Sequence, residues 1–83
     1  MVKTVYTKEY KLLCAWLVTE RQSAGLTQAE LAELLHRPQS YVSKYENGER
    51  RLDVLEFLEV VKALEANPSK IIMEIFMSLD SNK

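Results

Sequence analysis

Apolar side chains recur along this chain every three or four positions, the spacing of a helix with one buried face. Tyr6, Tyr10, Leu13 and Leu17, followed by Arg21, keep that interval. Thr7 can cap the run and Gly25 can stop it, which predicts a first helix over 7–24. In Leu26-Thr27-Gln28-Ala29-Glu30-Leu31, Thr27 and Glu30 have capping-box spacing, with Leu26 and Leu31 as the hydrophobic staple around it. A second helix over 27–35 follows, carrying Leu31, Ala32, Leu34 and Leu35. It ends near His36, because Pro38 disfavours helical geometry in the residue before it.

A third helix over 38–45 turns Val42 and Tyr45 inward and leaves Gln39, Ser40, Ser43 and Lys44 on its other face, then stops at Asn47-Gly48. Asp53 and Glu56, stapled by Leu52 and Phe57, open a fourth helix over 53–65 in which Val54, Leu55, Leu58, Val61 and Leu64 keep helical period. Asn67-Pro68 starts a fifth over 68–79, with Ile71, Ile72, Ile75, Phe76 and Leu79 in register, Met73 and Met77 beside them, and a polar tail Ser81-Asn82-Lys83 that frays. Short links and no internal repeat predict an all-α, compact five-helix domain spanning 1–83.

Composition narrows the class. At 83 residues the chain is one domain, and two Gly and two Pro are too few for the turns of a small β-sandwich or barrel. Its single cysteine, Cys14, excludes an intrachain disulfide and is expected as a small core or boundary hydrophobe. No Cys/His set has metal-ligand spacing, so no metal or cofactor is expected. The longest apolar run, Leu12 to Val18, is too short to cross a bilayer, and no signal peptide is recognisable; a cytoplasmic location is expected. Net charge is −1, with the two signs unevenly placed: residues 1–51 carry eight basic and six acidic side chains, residues 52–83 three and six.

Two short helices joined by about four residues, the second with a polar outer face, meet the physical requirements for placing a helix in the major groove of DNA. Ala32 is the small residue that lets the two axes approach, and Val42 and Tyr45 fill the angle between them. The stretch from Gly25 to Arg51, with Gly-Leu-Thr-Gln-Ala-Glu-Leu-Ala at its start and Ser-Tyr-Val-Ser-Lys-Tyr-Glu-Asn-Gly-Glu-Arg-Arg at its end, resembles the phage-repressor-like, or Xre-like, helix-turn-helix family. The likeness extends more loosely over the first, fourth and fifth helices. It implies that Gln28 holds a DNA phosphate at a helix N-terminus. Gln39, Ser40, Ser43 and Lys44 would face base edges, where Gln pairs with adenine and Lys donates to guanine. Tyr41, Asn47, Arg50 and Arg51 would contact phosphates at the groove edge. Arg21 would reach Glu46 as a partly buried ion pair. The sequence departs from the family at His36, where Gly is usual; His tolerates the left-handed region better than most residues, so the turn is expected to survive with some strain.

Nothing in the sequence points to an enzyme. His36 has no second His, paired Asp or reactive Cys at a usable spacing, and the carboxylates Glu30, Glu33, Glu56, Glu59 and Glu65 read as caps and solvated faces. The last helix has more apolar positions than one face can hide, so Ile72, Ile75, Phe76 and Leu79 are expected in a homodimer interface that presents two recognition helices to half-sites about one DNA turn apart. Trp16 fits either that interface or the core. The sequence therefore predicts a sequence-specific regulator of transcription that binds double-stranded DNA, a homodimeric repressor reading a near-palindromic operator with the helix over 38–45 in the major groove. The alternative is a protein-interaction module or antitoxin-type partner that uses the apolar fifth helix and binds DNA weakly.

Overall fold

The computed structural model describes residues 7–81, which form five helices: Lys8–Ser23 (α1), Gln28–Leu35 (α2), Gln39–Glu46 (α3), Val54–Leu64 (α4) and Ser69–Ser81 (α5). Tyr6, expected on the first helix face, and Asn82 and Lys83 of the expected tail lie outside the described residues. Each start has a local cause. The Thr7 hydroxyl accepts from the Tyr10 N–H at 3.1 Å. Thr27 with Glu30, and Asp53 with Glu56, close reciprocal capping boxes at the first turns of α2 and α4. The Asn67 side chain accepts from the Ser69 N–H at 2.9 Å as α5 begins.

The helix ends share one device. After α1, α2, α3 and α4 the chain passes through a left-handed residue, namely Gly25, His36, Gly48 and Glu65. At each of them paired N–H groups return to the last-turn carbonyls, as in the bonds from His36 to Glu33 and from Arg37 to Ala32. The strained turn expected at His36 is therefore present, with φ 59°; Glu65 takes the same conformation at φ 55° with no sequence signal for it.

The core gathers Leu17 from α1, Leu31 and Ala32 from α2, Val42 and Tyr45 from α3, Val60 and Val61 from α4 and Ile71 from α5. Ala32 is buried, and α2 packs closely on α3. Trp16 is half-buried and packs against the cluster, with its ring 6.3 Å from that of Phe57. The frame of α4 differs from the periodic reading. Its buried face is Phe57, Val60, Val61 and Leu64, while Val54 and Leu55 are each more than 70% exposed and Leu58 is also exposed. The helix carries more apolar residues than its one buried stripe can use.

Candidate nucleic-acid interface

The link from α2 to α3 is three residues, His36, Arg37 and Pro38. Because Pro38 fixes its own φ and lacks an N–H, it suits the position at which α3 must start abruptly. Tyr41, Val42 and Tyr45 bury one side of α3, leaving Gln39, Ser40 and Lys44 exposed and Ser43 half-exposed on the other. The Ser43 hydroxyl donates to the Ser40 carbonyl of its own helix at 3.3 Å. The result is a two-turn helix whose outer face is polar and short-chained apart from Gln39 and Lys44.

The C-terminal end of α3 is fastened to the scaffold through Glu46. Arg21 Nε donates to Glu46 Oε2 at 2.8 Å and Arg21 Nη2 to Oε1 at 3.2 Å, while Arg21 Nη1 donates to the Leu26 carbonyl. The side chains are 13% and 5% exposed, so the pair is largely shielded from solvent. Bonding to Glu46 outweighs burial and raises the Arg21 pKa further. Gln28 joins the same carboxylate, its Nε2 donating to Glu46 Oε1 at 2.8 Å. Its side chain is thus turned toward α3, leaving one amide proton and the free N–H groups of the α2 N-terminus for an anion.

On the other side α1 straps the segment after α3. Tyr10 Oη donates to the Arg50 carbonyl at 2.9 Å and accepts from the Leu52 N–H at 3.1 Å. The Cys14 thiol, in the core as expected, donates to the Tyr45 carbonyl at 3.1 Å. Burial pushes the Tyr10 phenol up to about 12 and raises the Cys14 thiol as well, which keeps both neutral as hydrogen-bond donors.

Tyr41 departs from its expected place at a phosphate. It is buried, its hydroxyl is out of reach of solvent and has no hydrogen-bond partner among the described residues, and its ring meets Tyr45 edge-on at 5.7 Å. The period of α3 explains this, since residue 41 shares a face with Tyr45 four positions on. Around it lies a cluster that sequence reasoning missed. The guanidinium carbons of Arg37 and Arg50 stand 4.5 and 4.7 Å from the Tyr41 ring centre. Arg50 also makes a two-pronged bond to Glu56, 3.2 and 3.0 Å, and Arg37 lies 3.6 Å from Glu59. The Arg50 bond, reinforced by the Asp53 N–H, lowers the Glu56 carboxyl to about 2. Asn47 is exposed beyond the end of α3, and the Arg51 guanidinium sits 5.0 Å from the Tyr10 ring.

A short, polar-faced helix held against a second helix by a tight turn, with cations on the following link, defines a helix-turn-helix DNA-binding domain. A helix-turn-helix family model matches residues 17–71. Among solved structures the chain is similar to an XRE-family like protein from Pseudomonas syringae pv. tomato str. DC3000, with 41% identity over 90% of this chain and 92% of the other and a TM-score of 0.80. No curated protein matches the chain. The chain belongs to the XRE-type helix-turn-helix family and is a DNA-binding regulator of that type. No helix among the described residues is long and apolar enough to cross a membrane.

Proposed function

We propose that the protein is a homodimeric repressor that occupies a near-palindromic operator with α3 in the major groove. Gln39, Ser40, Ser43 and Lys44 read bases, and Gln28, Asn47, Arg50 and Arg51 meet phosphates; the burial of Tyr41 removes it from that set. The observation that carries the reading is the geometry of α3: three large side chains bury one face, Arg21 and Gln28 hold its end through Glu46, and the remaining face is polar and open. Such a helix is rigid enough to compare base edges instead of adapting to them.

Dimerisation rests on α5. Ile72, Phe76 and Leu79 are exposed, with Met73 and Met77 beside them, and Ile75 is half-buried against the core. An apolar groove between α4 and α5, lined by Val54, Leu58, Ile72 and Ile75 among others, continues this surface. Contiguous apolar area of that kind is an association surface, and a two-fold pairing through it spaces two α3 helices for two half-sites.

Selection from randomised duplex DNA at near-physiological salt tests the proposal. The expected outcome is an enriched near-palindrome with half-sites roughly 10 base pairs apart. The double substitution Gln39→Ala, Lys44→Ala is expected to abolish that enrichment while leaving the oligomer intact; full operator affinity in the double variant would remove α3 as the reader. The second reading, a protein-interaction module with weak DNA binding, draws on the breadth of the α4–α5 apolar surface and the acidic second half of the chain. Retention of all sequences alike would favour it.

A further inference from the structure

Arg50 and Arg37, cations at the edge of the α3 face, are turned onto α4. Both guanidiniums lie against the Tyr41 ring, and each reaches a carboxylate one helical turn apart on α4, Glu56 for Arg50 and Glu59 for Arg37. The Arg50 pair is the tighter. Two parallel N–H···O bonds to Glu56 occupy both terminal nitrogens, and Nη1 is shared further with the Arg51 carbonyl at 3.4 Å. Glu56 is itself fixed, because its carboxylate also accepts from the Asp53 N–H at 3.0 Å and its own N–H donates to Asp53 Oδ1 at 2.7 Å. The backbone of Arg50 is pinned by Tyr10.

We propose that Glu56 sets the strength of DNA binding by holding Arg50 as a neutralised pair on Tyr41, so that the full charge of Arg50 is withheld from the phosphate backbone. This rests on the reading that the α3 edge faces DNA. A guanidinium already paired to a carboxylate neutralises less of a phosphate's charge and releases less counterion than a free one. The chain thus keeps its sequence-independent attraction low while base contacts on α3 stay unchanged, which raises the share of binding that depends on sequence. Glu56 acts as a positioning residue and does not itself touch DNA.

The test is the charge-neutral Glu56→Gln variant, whose side-chain oxygen can still accept from the Asp53 N–H and preserve the capping box. Binding to a mixed-sequence duplex of about two helical turns is measured over a salt series for wild type, Glu56→Gln, Arg50→Ala and the double variant, with thermal melting of each. Glu56→Gln is expected to bind roughly threefold to tenfold more tightly at low salt, with the slope of log affinity against log salt steeper by about one. Arg50→Ala is expected to weaken binding less in the wild-type background than in the Glu56→Gln background, so that the gain from Glu56→Gln is cancelled in the double variant. An unchanged slope in a folded Glu56→Gln protein overturns the proposal. So does weaker binding, which would mean that Glu56 presents Arg50 to the phosphate. If the wild-type chain shows no salt-dependent binding to the duplex, the DNA-facing reading of this edge fails, and the proposal with it.

Discussion

Glu46 shows what the interface demands of one side chain. Almost fully enclosed, it accepts two bonds from Arg21 and one from Gln28, and it ends the helix whose outer face is proposed to read bases. Removing one partner of such a pair leaves a charge without compensation, at a cost of about 3–5 kcal/mol. For Arg21→Ala the lower end is expected, because Gln28 remains bonded and the vacated space opens to water. Denaturant unfolding should therefore show a loss of about 3 kcal/mol. Loss of operator binding with an unchanged melting temperature would instead make Arg21 a DNA contact. Twenty-five positions separate the pair in the chain, so no local pattern could join them and only the family resemblance suggested the partnership. Gln28 lay beyond both, since a polar residue at a helix start reads equally well as an anion ligand or as a second donor to a neighbour. Tyr41 was misplaced for a different reason: an aromatic with a hydroxyl suits a phosphate or a core, and the register it shares with Tyr45 decides for the core.

The elements were legible where their signals are local. Capping boxes at Thr27 and Asp53 and the stops at Gly25 and Gly48 bring the helices within one or two residues of their predicted bounds. Apolar period was a weaker guide in α4, where Val54, Leu55 and Leu58 fit a helical stripe as well as the buried Phe57, Val60, Val61 and Leu64 do; only the position of α2 and α1 selects the face. Helix ends offer a prediction of their own. A left-handed conformation costs a non-glycine residue about 1–2 kcal/mol, offset by the roughly 0.5–1 kcal/mol that glycine loses in backbone entropy on folding. His36 is exposed, and its imidazole makes none of the bonds that hold the turn, which are all backbone. His36→Gly is therefore expected to stabilise the domain by about 0.5–1 kcal/mol, read as a melting temperature a few degrees higher. A drop would show that the imidazole packs in a way its exposure conceals.

At the scale of the molecule, the two apolar surfaces of α5 have to be told apart before either is tested. Ile71 is buried and Ile75 packs against the core, so a charge at either position would unfold the domain as readily as it would separate two copies. Phe76 is 64% exposed, among the large hydrophobics that meet solvent rather than the core. Phe76→Asp should leave the melting curve of the dilute protein nearly unchanged, since surface substitutions away from packing features move stability by only about 0.5 kcal/mol. In a two-fold interface the same change places two like charges at or near the axis, where burial makes each costly. Sedimentation should then show dimer for the wild type and monomer for the variant at equal concentration. Operator binding should weaken as well, because two half-sites reached through one linked pair benefit from effective concentration that separate monomers lack. Unlike Lys44→Ala, Phe76→Asp should spare the ranking of sequences bound by a single copy, since base contacts on α3 are untouched. A Phe76→Asp protein that remains dimeric would move the interface off α5 and toward the exposed Val54, Leu55 and Leu58 of α4.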